Sequence, residues 1–177
     1  MTNDYFFDTD CLSAFLWIND TNILKALYGG RIVIPSPVYD ELSNPCVPQL
    51  KRRTDVLLDE NVATVQQLVV NTEEYELYNN LIRGSIDGKQ IGRGEAAGIA
   101  LAKTHNGILA SNNYRDISPY IKKYGLKHID TGGILVEAMN KGLITEEDGN
   151  AIWANMKAKN RMLPTETFSD YIKVNLI

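Results

Sequence analysis

Four acidic residues, spread along the chain, each stand where a short apolar run gives way to a helical one or where a helical run begins. Asp8 closes Tyr5-Phe6-Phe7. Glu41 lies in the segment that follows Ile32-Val33-Ile34-Pro35. Glu95 sits in Gly92-Arg93-Gly94-Glu95-Ala96-Ala97, and Asp116 comes after Ile108-Leu109-Ala110-Ser111. In an α/β sheet the carboxyl ends of parallel strands share one edge, so residues this far apart can converge there. Gathered carboxylates repel one another unless a cation lies between them, and hard oxygen donors suit Mg²⁺ or Mn²⁺. Such an ion polarises a phosphate and lowers the pKa of a bound water. The pattern therefore predicts hydrolysis of a phosphodiester, with RNA as the expected substrate.

Each acid also has a plainer account. An unpaired charge after Phe6-Phe7 cannot continue a buried strand, so Asp8 must end it. There Asp8, Thr9 or Asp10 could equally cap the next helix. Asp40, beside Glu41, points about 100° away on a helix, so only one of the two can face a site. If Val38 and Leu42 face the core, Glu41 lies at the edge of that stripe. Glu95 at a helix start is favoured by the helix dipole alone. The small residues Ala96, Ala97 and Ala100 would let its helix press against the sheet. In Ser111-Asn112-Asn113-Tyr114-Arg115-Asp116, serine and asparagine favour turns and caps. They could equally hydrogen-bond a phosphate or a metal-bound water. Thr9, Ser111, Asn112 and Asn113 are thus candidate substrate contacts. Asp8, Glu95 and Asp116 are candidate metal ligands, with Glu41 holding a second ion or orienting the water. Asp10 and Asp130 are weaker candidates for the rim. The glycine-rich stretch 84–94 lacks both a Gly-Lys-Ser/Thr ending and GxGxxG spacing, which argues against a nucleotide loop.

Elements that could position these residues alternate between strand-like and helical runs, which argues for α/β with a mainly parallel sheet. Strands are expected at 5–7, 31–34, 108–110 and 127–129, and 62–70 reads as a short strand with a turn. Helices are expected at 12–19, 22–28, 47–60, 73–83, 95–104, 132–141 and 146–159. Ser36 reads as an N-cap with Pro37 at the first helical position. Residues 119–124 read as the end of a helix, and 171–174 as a final edge strand or short helix.

Size and composition bound the answer. At 177 residues the chain suits one domain over 1–177, and 44% apolar with 23% charged residues is ordinary for a globular protein. No apolar run is long enough to span a bilayer. The start, Met1-Thr2-Asn3-Asp4, has no basic segment, so a cytoplasmic location is expected. Cys11 and Cys46 have no metal or redox spacing and are expected to be buried free thiols. A net charge of −4 argues against a bulk nucleic-acid binder but not against a nuclease with an acidic centre. Basic residues cluster at 51–53, 122–123 and 157–161, as solvated faces or as an RNA groove.

Taken in order, these blocks resemble the PIN-domain nucleases, in particular the VapC-like toxin ribonucleases. The resemblance runs from Tyr5 to about Ile144. It includes the opening strand with Asp8-Thr9-Asp10, the block 28–42 around Glu41 and the block 92–102 around Glu95. Its closing block is Asp130-Thr131-Gly132-Gly133-Ile134-Leu135. One PIN subgroup usually has Thr-Asp-Asp after the fourth strand, whereas this chain has Ser111-Asn112-Asn113. The form Ser-Asn-Asn-x-Arg-Asp is instead similar to VapC-type toxins, which carries the fourth acid to Asp116. The resemblance implies a three-layer α/β/α sandwich and a Mg²⁺- or Mn²⁺-dependent endoribonuclease acting on single-stranded RNA. It also implies a homodimer and an antitoxin protein as partner. The apolar residues Ile134, Leu135, Met139, Ile152, Trp153 and Met156 either cover the sheet or supply the dimer contact. Two rival readings remain. One is a PIN fold that kept its shape and lost its activity, favoured by the two amides. The other is a phosphatase built on Asp8-Thr9-Asp10, which lacks a well-placed lysine.

Overall fold

Short β-branched and aromatic runs form five strands: β1 (Tyr5–Phe7), β2 (Ile32–Pro35), β3 (Ala63–Gln66), β4 (Ile108–Ala110) and β5 (Lys127–Ile129). The computed structural model describes residues 3–175. Met1 and Thr2, part of the segment without a basic leader, lie outside the described residues. All strand pairs are parallel, in the order β3-β2-β1-β4-β5. Both faces of such a sheet must be covered, which is why β1 and β2 are buried throughout.

The pleat divides the core in two. Tyr5, Phe7, Ile32 and Ile34 point to one face. There they meet α1 (Thr9–Ile18), α2 (Asn22–Tyr28), α3 (Ser36–Leu42), α4 (Pro48–Asp59), α8 (Thr131–Asn140), α9 (Glu146–Ala158) and α10 (Phe168–Asn175). Phe6, Val33 and Leu109 point to the other face, beneath α5 (Glu73–Arg83), α6 (Arg93–Thr104) and α7 (Tyr114–Tyr124). The result is the expected three-layer α/β/α sandwich. No helix among the described residues is long and apolar enough to cross a membrane.

Several boundaries differ from expectation for identifiable reasons. Helix α1 begins at Thr9 because Asp8 itself is the cap, its Oδ1 accepting the Cys11 N–H at 2.8 Å. Ser36 is already helical and donates no cap. The short strand expected within 62–70 is β3, and the chain leaves the sheet after Gln66. Helix α7 takes in Tyr114 to Asp116 and carries Pro119 within it, so the segment around Asp116 is a first helical turn. Residues 171–174 belong to helix α10, not to an edge strand.

Helix α10 settles where the C-terminal apolar residues go. Phe168 and Tyr171 pack around Trp153, with ring centroids 5.9 and 5.5 Å from the indole, and Trp153 Nε1 donates to the Thr165 carbonyl at 3.1 Å. Gly149 and Gly132 admit these rings: a Cβ at either would lie 2.3 Å from Phe168 or Tyr171. Ile134, Leu135, Trp153 and Met156 are fully buried within the one chain, and Met139 and Ile152 pack against the same core. They cover the sheet, so they do not argue for a second copy.

The basic cluster at 51–53 is a strut: Arg53 donates to the Leu16 and Trp17 carbonyls at the end of α1, and Lys51 pairs with Asp55. Cys11 is buried as expected, but Cys46 is exposed in the turn between α3 and α4.

Candidate active site

From β1 the chain runs to β2 on one side and later to β4 on the other, so the switch point of the sheet lies between β1 and β4. The crevice beyond their carboxyl ends is the natural binding place of an open parallel sheet. Asp8 follows β1 there and Ser111 follows β4. A cavity of about 240 Å³ opens at this point, lined by Asp8, Thr9, Asp10, Glu41, Gly92, Gly94 and Glu95. Three of the four acids singled out in the sequence therefore share one cavity.

Asp8 is 2% exposed. Its Oδ1 caps α1, but Oδ2 has no hydrogen-bond partner. Burial pushes the carboxyl up to about 7. The Ser111 hydroxyl and the Cys11 N–H favour the ionised form, while the charges of Asp10 and Glu95 work against it. Glu41 is reached by α3 and accepts from the Thr9 hydroxyl, so Thr9 orients an acid. Glu95, at the third position of α6, accepts from the Gly92 N–H at 3.2 Å. This is one half of a capping box, since glycine has no side chain to return the bond.

The other Glu95 oxygen accepts from Asn113 Nδ2 at 2.6 Å, and the same nitrogen reaches Asp116 Oδ2 at 2.8 Å. Both partners are acceptor-only carboxylates, so the amide must turn its NH₂ toward them. Asp116 is also paired with Lys89. Lys89 and then Asn113 hold its carboxyl below the usual range. Ser111 is fully buried, its hydroxyl accepting the Asn113 N–H at 3.3 Å. His128 Nε2 lies 2.7 Å from the Ser111 carbonyl, an acceptor, which places the ring proton on Nε2.

Two expected site residues also serve the fold. Asn112 Oδ1 accepts the Thr131 N–H at 2.9 Å, tying β4 to the start of α8. Asp130 caps α8 through the Gly133 N–H at 2.7 Å and accepts the Tyr171 hydroxyl at 2.7 Å, so it is a packing post and not a rim residue. Asp10 does line the cavity.

The donor set suits a hard divalent cation: an orphaned, buried Asp8 oxygen faces a cavity with three further carboxylates. Among the described residues, however, no three Asp, Glu, His or Cys side chains converge closely enough to enclose one ion. The expected trio of Asp8, Glu95 and Asp116 is not assembled as a cage. Lys89 and Asn113 engage Asp116, which meets Glu95 only through the Asn113 amide.

Sequence reasoning did not single out Gly94 or Lys89, and it placed Arg161 only within a basic cluster that could be a solvated face or an RNA groove. A Cβ at Gly94 would lie 2.8 Å from the Thr9 hydroxyl, 3.2 Å from Glu41 Oε2 and 3.3 Å from Val38. Gly94→Ala should therefore displace the Thr9–Glu41 pair. It should cost about 1–3 kcal/mol of overpacking, less the ~1 kcal/mol that alanine gains in a helix. Thermal melts and activity assays check this; a variant as active and stable as wild type would show that the close approach is dispensable. Arg161 helps line a second cavity of about 510 Å³, with Asp10, Glu95, Asn112, Asn113, Asn160 and Met162. It returns to the site from beyond α9, over a sequence distance that no local pattern bridges.

Comparison with known proteins agrees with this architecture. One chain of the DNA-bound VapBC crystal structure from Salmonella typhimurium superposes with a TM-score of 0.54 at 16% identity, covering 74% of this chain and 99% of that one. A chain of VapBC-1 from nontypeable Haemophilus influenzae gives 0.51 at 19% identity, covering 72% and 97%. At such identities the likeness is one of fold. No curated protein matches. Residues 4–175 match a family model described as a PIN domain, and the chain belongs to the PIN-domain family.

Proposed function

We propose that this chain is an endoribonuclease that cleaves single-stranded RNA with the help of Mg²⁺ or Mn²⁺. The observation that carries the reading is Asp8, a buried carboxylate with an unpartnered oxygen facing a cavity with Asp10, Glu41 and Glu95 at the switch point of the sheet. Without a counter-cation that arrangement is a cost to the fold. A bound ion would neutralise it and supply Lewis-acid polarisation of the phosphate and a water of lowered pKa. Asp8 and Glu95 are the proposed ligands. Glu41, held by Thr9, orients the water or a second ion. Asp116 acts through Asn113, keeping the Glu95 carboxylate turned. Ser111, deep beside Asp8, sets its environment, and Asn113 commits its amide to Glu95 and Asp116.

The two structural neighbours come from VapBC complexes, which supports a toxin role and an antitoxin protein as partner. A cytoplasmic location belongs to the same reading. A homodimer rests on the family resemblance alone. The second reading, a PIN fold without activity, is favoured by the amides at Asn112 and Asn113 and by the open spacing of the acids.

Labelled single-stranded RNA, duplex RNA and single-stranded DNA, each incubated with purified protein and Mn²⁺, test the proposal. Cleavage of the single-stranded RNA that stops with EDTA and returns with excess Mn²⁺ is expected. Cleavage that persists in EDTA would sink the metal assignment, and no cleavage under any metal would favour the inactive fold.

A further inference from the structure

A polyanion entering a cavity walled by carboxylates needs fixed positive charge to hold it in place. Among the described residues the smaller cavity has no Lys or Arg in its walls, and the larger one has Arg161 alone. Two nearby cations are engaged elsewhere: Lys89 pairs with Asp116, and Arg93 donates to the Tyr78 hydroxyl; Arg115 is exposed in the first turn of α7 and lines neither cavity. Asn160, at φ 58°, turns the chain at the end of α9 and directs Arg161 back toward α1. There the guanidinium lies over the Trp17 ring, 5.4 Å from its centroid, and Nε donates to the Lys159 carbonyl at 3.1 Å. Among the described residues its Nη groups make no hydrogen bond; Nη1 stands 3.8 Å from Asp10 Oδ1. That distance is a loose, half-exposed ion pair of little worth, and a phosphate with two aligned acceptors would displace it. The stacked ring and the carbonyl fix the fork before substrate arrives, so little side-chain entropy remains to be lost.

We infer that Arg161 anchors a phosphate of the RNA next to the scissile one, in the larger cavity beyond Glu95. The inference rests on the nuclease reading above. It assigns Arg161 a substrate-binding role: Arg161 holds the strand and does not take part in bond cleavage.

Cleavage of a labelled single-stranded oligoribonucleotide at saturating Mn²⁺, over a range of salt, tests it with full-length wild type, R161Q and R161K. R161Q should raise KM about tenfold, the value of one charged hydrogen-bonded contact, with kcat little changed. The slope of log KM against log salt should fall by about 0.7, the share of one phosphate on a single strand. R161K should recover most of the slope. An R161Q enzyme with unchanged KM and salt slope overturns the inference while leaving the nuclease intact. A fall in Tm and kcat together, with no recovery in R161K, marks a merely structural arginine and also overturns it. Wild type that neither cleaves nor binds the oligonucleotide overturns the nuclease reading, and this inference with it.

Discussion

Asp8→Asn should abolish RNA cleavage, by roughly 10²–10³-fold or more on the scale of losing one group that stabilises transition-state charge, while making the metal-free protein more stable. The two effects have one cause. Asp8 is buried, its Oδ2 lacks a partner, and its carboxyl is raised from 3.8 to about 7. A raised carboxyl pKa means that the folded state binds the proton more tightly than the unfolded chain. The contribution of Asp8 to stability is therefore greatest below about pH 4, falls as pH rises toward 7 and levels off above it. The full shift corresponds to at most about 4 kcal/mol, and on the order of 2 kcal/mol is the realistic gain once local relaxation is allowed. Asparagine keeps the N-cap to Cys11, so the helix start is preserved. Melts in EDTA should show Asp8→Asn above wild type at pH 8 and level with it at pH 4. A variant destabilised at pH 8, or one that still cleaves RNA, would show that Asp8 is a cap and no more.

Asn113→Ala should lower apparent metal affinity about 10–100-fold, in the range found when a partner that orients a metal ligand is lost. Its amide is the bond that turns Glu95 Oε1 and joins it to Asp116. Excess Mn²⁺ should restore much of the rate, since the ligands themselves remain. Asp116→Ala should act in the same direction but less strongly, because Asn113 keeps its bond to Glu95. Asn112→Ala should do the opposite, costing about 1 kcal/mol of stability through the freed Thr131 N–H with activity near wild type. Calorimetric Mn²⁺ titrations of the three variants separate these outcomes. Equal metal affinity in Asn113→Ala and wild type would remove Asn113 from the site.

Where the sequence is explicit, it is explicit because one local rule dominates. The strands are short β-branched and aromatic runs closed by glycine, proline or an acid. Their alternation with helical segments leaves little choice but a parallel sheet with helices on both faces. Asp8, Glu41 and Glu95 could be placed at one edge because strand ends share an edge whatever the loops do. What lay beyond reach was decided by contacts at long range. Asn112 and Asn113 are adjacent amides with the same turn preference, yet one ties β4 to α8 and the other bridges two acids. The difference comes from which way the chain leaves β4. Asp116 reads in sequence as a free fourth ligand, but Lys89, 27 residues earlier, is paired to it. The large apolar residues of α8 and α9 suggested a second copy only because α10, which covers Trp153, could not be told from an edge strand. Arg161 carried a signal as a basic residue, but its return to the acidic cavity depends on Asn160 and Trp17 together.

The most direct test of a metal site at this edge of the sheet is a crystal of the protein soaked in Mn²⁺, with anomalous scattering recorded at the manganese edge. A peak is expected in the cavity between Asp8 and Glu95, lost in Asp8→Asn crystals soaked in the same way. A soaked crystal with no peak in that cavity, or with peaks only at surface carboxylates, would contradict it.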